Sequence, residues 1–160
     1  SEFLAGRNES GSNPVRVTLS VEDDLRNLRA QLDHAHGIEY QAILYKDTPL
    51  FIAESCSLTA LHNGCPTSKV CGYRTLEVEN PKGERFFVAH ESCKSIVYGK
   101  QAYGVTQHRD QFTALGIKRF RVDFLTRNYE SAEVSKIIRA AMTGEPVVGT
   151  HSANLNGELL

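Results

Sequence analysis

All four cysteines of this 160-residue chain lie between Cys56 and Cys93, separated by gaps of eight, five and twenty-one residues. No cysteine occurs anywhere else in the chain. Clustered cysteines constrain a fold strongly, because thiols that share a metal or a disulfide must come within a few ångströms of each other. The stretch from Cys56 to Cys93 is therefore the part of the sequence on which the other inferences depend.

The longest gap between cysteines carries the pattern of a β-hairpin. Within the segment from Arg74 to Glu79, Leu76 and Val78 alternate with Glu77 and Glu79, which is the two-residue period of a half-buried strand. Asn80-Pro-Lys-Gly83 has proline and glycine where a type I turn favours them, and Glu84 to Ala89 supplies the returning strand. Such a hairpin brings its flanking residues, Cys71 and Cys93, to its open end.

The remaining two cysteines precede the hairpin on a loop marked by Gly64 and Pro66. Convergence of all four thiolates would form an iron–sulfur or a zinc site. Two disulfides and four unligated thiols are the alternatives, but a chain of this length builds a core without disulfides. The gaps are wider than the two-to-four-residue spacing typical of structural zinc, which favours a cluster. The candidate ligands are Cys56, Cys65, Cys71 and Cys93.

These motifs resemble the collagenase-like peptidase U-32 family. The likeness includes Pro49 to Cys56, Gly-Cys-Pro at residues 64–66, and the hairpin into Cys93. It continues through Phe120 to Phe124 and through Gly149 to Asn154. It covers about Arg16 to Leu160, which corresponds to the C-terminal part of a typical family member.

The resemblance implies that the four cysteines ligate a 4Fe-4S cluster, with zinc as the alternative cofactor. It also implies a part in the hydroxylation of RNA bases or of a ubiquinone precursor, so the chain would belong to an enzyme. The family name implies a collagenase-like peptidase instead, and a structural zinc-binding module is a third interpretation. RNA, a partner subunit and the remainder of a longer chain are the candidate partners.

Composition places the chain among ordinary globular proteins, with 41% apolar residues and a net charge of −1. The balanced charge excludes a broad basic surface for nucleic acid. No apolar run reaches transmembrane length and no signal peptide opens the sequence, so reduced cysteines indicate a cytoplasmic protein. Met142 is the only methionine, which predicts a processed or partial chain. We interpret residues 1–14 as a flexible lead-in that begins with vector sequence.

The segments outside the cysteine-rich stretch predict strand–helix units. Val15 to Leu19 alternates as a strand, and Ser20 is the predicted N-cap of the following helix. A second strand, Gln41 to Tyr45, completes a βαβ unit with parallel strands. Further predicted elements are a strand at 96–98, a helix at 109–115, a strand at 118–124 and a helix at 132–142.

The predicted fold class is α/β, with strand–helix units that resemble part of a (β/α) barrel and a Cys-rich β-hairpin insert. A complete barrel of this kind needs about 250 residues, so the chain supplies only part of one. Residues 15–160 are expected to form a single α/β domain.

A few polar residues outside the cysteine set are secondary candidates. His62 and His90 lie near the cysteines as substitute ligands, and Glu54 is placed to hydrogen-bond near Cys56. Arg121 and Asp123 share one strand face, which we interpret as a structural ion pair or a solvated surface. The sequence identifies no nucleophile with its general base, so catalytic residues are left unassigned.

Overall fold

The computed structural model describes residues 15–33, 37–65 and 75–157. Within these ranges the strands are β1 (Val15–Thr18), β2 (Ile38–Lys46), β3 (Pro49–Ala53), β4 (Thr75–Glu79), β5 (Arg85–Glu91), β6 (Lys94–Gly99), β7 (Tyr103–Gly104) and β8 (Arg119–Val122). The helices are α1 (Leu25–Asp33), α2 (Ser57–His62), α3 (Arg109–Ala114) and α4 (Ser131–Thr143), with a 3₁₀ turn at Thr106–His108. The structure is a mixed α/β fold, as the sequence predicts.

The chain divides into two compact units. One contains the described parts of Ser1–Ile43, Asp110–Arg121 and Ala153–Leu160, and the other contains the described parts of Leu44–Arg109 together with Val122–Ser152. The second unit carries every described cysteine. In the described ranges the strands do not close into a barrel.

In the first unit, β1 pairs in parallel with the beginning of β2, from Val15 opposite Ile38 to Thr18 opposite Gln41. The predicted parallel arrangement of the first two strands is therefore confirmed. Arg16 and Arg119 both donate hydrogen bonds to the Glu39 carboxylate. The hydrogen bond from Arg119 is the main influence that lowers the pKa of Glu39, and the bond from Arg16 adds to it.

Helix α1 begins later than the sequence predicts. The predicted N-cap at Ser20 is wrong, because Ser20 Oγ accepts the Glu22 amide at 3.1 Å and holds a turn ahead of the helix. Asp24 is the cap: its Oδ1 accepts the Asn27 amide at 2.7 Å. Starting the helix at Leu25 buries Leu28 in the core, so packing decides between two residues that can both cap.

The second unit contains an antiparallel sheet with the strand order β3-β6-β5-β4. The predicted hairpin is confirmed as β4 and β5, which close with Glu79 opposite Arg85. At the turn, Asn80 Oδ1 accepts the amides of Lys82 at 2.9 Å and Glu84 at 3.0 Å. Gly83 has a φ of +80°, a conformation that glycine adopts without strain.

The core of the second unit lies beside the end of β2. Tyr45, Ala102 and Ile137 are buried together, and partly buried apolar residues of the later chain pack against them. These are Val122, Phe124, Tyr129 and Val147. Ile137 comes from α4, which begins at Ser131, one residue before the predicted Ala132, and ends at Gly144 in the left-handed region.

None of the helices in the described part of the chain has the length and apolar character that a membrane crossing requires.

Gly104 is a position where a side chain cannot fit. A Cβ added there would lie 2.6 Å from three side-chain atoms of Thr150. The Thr150 hydroxyl is itself held, because it donates to the Val147 carbonyl at 2.8 Å. We expect Gly104→Ala to lower the free energy of unfolding by about 1–3 kcal/mol, measured by urea denaturation.

The matched control is Gly99→Ala, where the nearest atoms to a new Cβ lie at 3.8 and 3.9 Å, an ordinary contact distance. This variant should stay within about 0.5 kcal/mol of the parent. Adding Thr150→Ala to Gly104→Ala should recover part of the loss. Equal stability of the two glycine variants would contradict the steric account.

Candidate functional site

Cys56 lies where the first strand of the antiparallel sheet meets a short helix. Strand β3 ends at Ala53, and Cys56 is the N-cap of α2 with an extended backbone (φ −83°, ψ 116°). The sequence predicted a loop here, but residues 57–62 form a helix whose Leu58 side chain is buried. The Cys56 side chain is half-buried.

Cys93 occupies a tight turn between β5 and β6. Glu91 pairs with Lys94, which leaves Ser92 and Cys93 as the two turn residues, with φ values of 50° and 62°. Two successive positive φ angles define the type I′ hairpin turn, which matches the twist of the flanking strands. The Cys93 side chain is exposed, and Lys94 Nζ forms an ion pair with Glu54 at 2.9 Å.

The register of the sheet brings the ends of several strands to the same end of the sheet. Ala53 pairs with Ser95, and Ser95 pairs in turn with His90. The segment after β3, the β5–β6 turn and the beginning of β4 at Thr75 therefore lie at the same end of the sheet. Cys56 and Cys93 both flank this end. Cys71, four residues before Thr75 in sequence, lies outside the described residues.

Cys65 follows α2, after Asn63 ends the helix in a left-handed conformation with a φ of 52°. Its thiol and that of Cys93 are free and exposed. Across residues 15–33, 37–65 and 75–157, no three or more His, Cys, Asp and Glu side chains are grouped closely enough to hold a metal ion. The structure thus brings Cys56 and Cys93 to one sheet end, and it does not assemble the three described cysteines into one coordination sphere.

The donor set nevertheless suits a thiophilic group. Thiolates are the ligands that iron–sulfur clusters and structural zinc prefer, and accessible cysteines can ionise and turn toward a metal. Cys56 and Cys93 flank the described sheet end, and Cys65 follows α2 in sequence. These residues fit such a group by the chemistry of their thiols.

A hydrogen-bonded set of side chains lies beside Cys56, and sequence reasoning missed it. Ser57 Oγ lies 2.7 Å from His90 Nε2, and the Ser57 amide donates to Ser95 Oγ at 2.8 Å. The Ser95 hydroxyl also reaches Ser57 Oγ at 3.3 Å. His90, which the sequence offered as a substitute ligand, is buried and faces Ser57. His62 is exposed at the end of α2.

The sequence contained only a weak indication that Ser57 and His90 would be in contact. Ser57 and His90 are 33 residues apart, and they meet because β3 and β5 both pair with β6. The polar residues Ser95 and His90 within otherwise apolar strands were the available sign, since a buried polar side chain requires a partner.

A second polar network in the same unit surrounds Asp47, which is 6% exposed. Arg127 Nη2 donates to Asp47 Oδ1, and the Tyr129 hydroxyl donates to Asp47 Oδ2 at 2.9 Å. The Arg127 guanidinium also lies 4.8 Å above the Phe87 ring and donates to the Lys100 carbonyl. Burial, together with hydrogen bonding to its neighbours, raises the pKa of the Tyr129 phenol, so the network keeps Tyr129 protonated.

Arg127 also lines a groove of about 680 Å³ beside the β4–β5 hairpin. The groove walls carry charges of both signs and one accessible aromatic ring, Phe86. Arg85 forms an ion pair with Glu79 at 3.3 Å, and Arg127 forms one with Asp47. Two of the cationic side chains that line the groove are therefore already paired with carboxylates. The groove therefore presents no excess of charge that would select one class of ligand.

The other predicted candidates have ordinary surroundings. Glu54 is largely exposed, and its described ion pair is with Lys94. The backbone amide of Asp123 donates to the Tyr45 carbonyl at 2.9 Å, which extends the pairing beyond β8. Arg121 is exposed.

A scan against protein-family models, a search of curated proteins and a search of solved structures each found no match for this chain. Membership of the U-32 family stays a prediction from the motifs in the sequence.

The Asp47 network places a buried carboxylate against a guanidinium, so we expect the second unit to be sensitive to substitutions there. Asp47→Asn removes the charge that compensates Arg127, and breaking a buried ion pair costs about 3–5 kcal/mol. We expect a loss at the lower end of that range, because the Arg127 side chain is 27% exposed. Urea denaturation of the parent and the variant measures this difference.

Tyr129→Phe is the matched control, because it removes the hydroxyl that hydrogen-bonds to Asp47 and Tyr45, keeps the ring and leaves the charge of Asp47 in place. Its expected cost is about 1 kcal/mol. An Asp47→Asn variant as stable as Tyr129→Phe would mean that the ion pair adds nothing beyond the hydrogen bond.

Proposed function

We propose that this chain is a metal-binding domain in which Cys56, Cys65, Cys71 and Cys93 hold a 4Fe-4S cluster. The observation that supports the proposal is the register of the antiparallel sheet, which brings Cys56 and Cys93 to the end where β4 begins. Cys71 precedes β4, and Cys65 follows the short helix that starts at Cys56. Zinc in the same four-cysteine site is the alternative.

The proposed domain is part of a U-32-like enzyme that hydroxylates RNA bases or a ubiquinone precursor. In that setting its strand–helix units form part of a (β/α) barrel and the cysteine-rich hairpin is an insert. When bound, the cluster supplies one-electron chemistry or a Lewis-acidic iron. The chain itself supplies the thiolates and the sheet end that orients two of them.

The rest of a longer polypeptide, or a partner subunit, completes the proposed enzyme. The edge strand β3 favours this, because Leu50, Phe51 and Ile52 are each more than half exposed. An exposed apolar edge strand offers both hydrogen-bonding groups and apolar surface to another segment. RNA remains a candidate partner of the assembled protein, and a reducing cytoplasm suits its thiols.

Anaerobic reconstitution with iron and sulfide tests the cluster. We expect about four iron and four sulfide atoms per chain, and a lower content in Cys71→Ser because one ligand is lost. His62→Ala is the matched control: it removes an exposed metal-binding side chain near Cys65 and should keep the full content. Elemental analysis measures both metals in the same samples.

Three results of this experiment discriminate between the interpretations. Zinc that persists under anaerobic, iron-rich conditions would favour the structural zinc module. Neither metal in the parent chain would rule out the metal site. Equal losses in Cys71→Ser and His62→Ala would show that the cysteine has no particular role.

A collagenase-like peptidase is the second candidate, and one observation favours it. Ser57 Oγ at 2.7 Å from His90 Nε2 has the spacing of a nucleophile and its general base. However, Ser57 Oγ also contacts the hydroxyl of Ser95, and both His90 and Ser95 are buried. A hydroxyl held on two sides by buried groups is poorly placed to attack a peptide carbonyl.

We therefore expect a fluorophosphonate probe to leave Ser57 unlabelled, because its hydroxyl is already engaged in the buried network. Peptide mapping of the treated protein by mass spectrometry locates any adduct. Labelling that Ser57→Ala abolishes and Cys56→Ala preserves would establish the peptidase interpretation in place of the metal site.

A further inference from the structure

Ser57 bridges two side chains that stand next to each other on the sheet. His90 on β5 and Ser95 on β6 are directly paired, so their side chains share one face, as does Ala53 on β3. Ser57, the first residue of α2, lies over this row and bonds to both polar members. Its contacts therefore tie the start of α2 to two strands at once.

The hydrogen bonds of this set are mutually consistent. The Ser57 amide donates to Ser95 Oγ, and the Ser95 hydroxyl donates to Ser57 Oγ. The Ser57 hydroxyl can then donate to His90 Nε2, 2.7 Å away, in the tautomer whose ring proton is on Nδ1. Both hydroxyls thereby find partners, as buried polar groups must.

Burial gives these contacts their strength. His90 is 4% exposed and Ser95 is 3% exposed. A hydrogen bond shielded from water resists exchange with solvent, and removing one partner costs the other that bond where water cannot easily replace it. The position of Ser57 relative to the strands is therefore closely fixed.

The same contacts fix the backbone next to two cysteines. Ser57 directly follows Cys56, and Ser95 lies two residues after Cys93. The bond from the Ser57 amide to Ser95 Oγ consequently links the peptide of one cysteine to the strand that leaves the other's turn.

We propose that Ser57, His90 and Ser95 form a clasp of positioning residues that holds Cys56 and Cys93 ready for the shared metal. This inference rests on the proposed metal-binding function and names the residues that orient its ligands. Partners outside the ligand set commonly influence metal affinity by about 10–100-fold.

Anaerobic titration of the whole chain with cobalt(II) tests the clasp. Cobalt bound to thiolates gives charge-transfer absorption, and its d–d bands report the coordination geometry. We expect Ser57→Ala and His90→Ala to weaken cobalt binding about tenfold and to alter the d–d bands. His90→Gln retains an acceptor for the Ser57 hydroxyl and should recover most of the affinity.

Ser135→Ala is the matched control, because it also deletes a serine hydroxyl, one that donates to the Ser131 carbonyl within α4. It should bind cobalt as the parent does. Near-UV circular dichroism of each metal-free variant establishes that the fold is retained. Should Ser57→Ala fail to fold, Ser57→Thr compared with Ser57→Val in the same titration separates the hydroxyl from its size.

The outcomes separate this inference from the function on which it rests. A parent chain that binds no cobalt would overturn both. A parent that binds through thiolates, with Ser57→Ala and His90→Ala matching it in affinity and spectrum, would overturn the clasp alone. The clasp would also be contradicted if His90→Gln bound cobalt with no higher affinity than His90→Ala.

Discussion

The register of one antiparallel sheet governs the chemistry of the second unit. Because β6 pairs with β3 on one side and with β5 on the other, Ala53, Ser95 and His90 stand in a single row across three strands. A shift by one residue would turn Ser95 and His90 to the opposite face, since side chains alternate along a strand. Ser57 would then lose both of its partners. The position of Cys56 therefore depends on pairing between residues about forty positions apart.

Hydrogen-bonded serine and histidine side chains are often associated with catalysis, but the surroundings decide what such a pair does. Here the histidine is buried, and the hydroxyl of a second serine, Ser95, also hydrogen-bonds to Ser57 Oγ. Such an arrangement uses the directionality of hydrogen bonds to fix backbone position. A catalytic serine needs one open side from which a substrate carbonyl can approach. The same atoms thus favour a positioning role at the end of the sheet.

The Asp47 network shows how the segment before β3, at the opposite end of that strand from Cys56, supports the same unit. Its carboxylate receives hydrogen bonds from Arg127 and Tyr129, which lie about eighty residues further along the chain. Arg127 also covers Phe87, whose ring stacks on Tyr98 at 4.8 Å. The network therefore links the end of β2 to the sheet that carries the cysteine turn. Burial of charge makes this link sensitive to loss of either partner.

Local pattern alone determined much of the secondary structure. The alternation of Leu76 and Val78 with glutamates, followed by Asn80-Pro-Lys-Gly83, was enough to define the β4–β5 hairpin, because strand period and turn chemistry are local properties. The parallel pairing of β1 with β2 likewise followed from the order of the elements. The four candidate cysteines were visible from composition and spacing.

Only the tertiary structure decided which residues meet. Ser20 and Asp24 can both cap a helix, and the burial of Leu28 selects Asp24. Ser57 meets His90 solely because two strands share a third as their neighbour, and no local pattern encodes that contact. Propensities and turn preferences act over a few residues, whereas register and burial are settled by the packing of distant segments. The sequence therefore determined the elements and the thiols, and long-range packing determined the polar contacts that surround them.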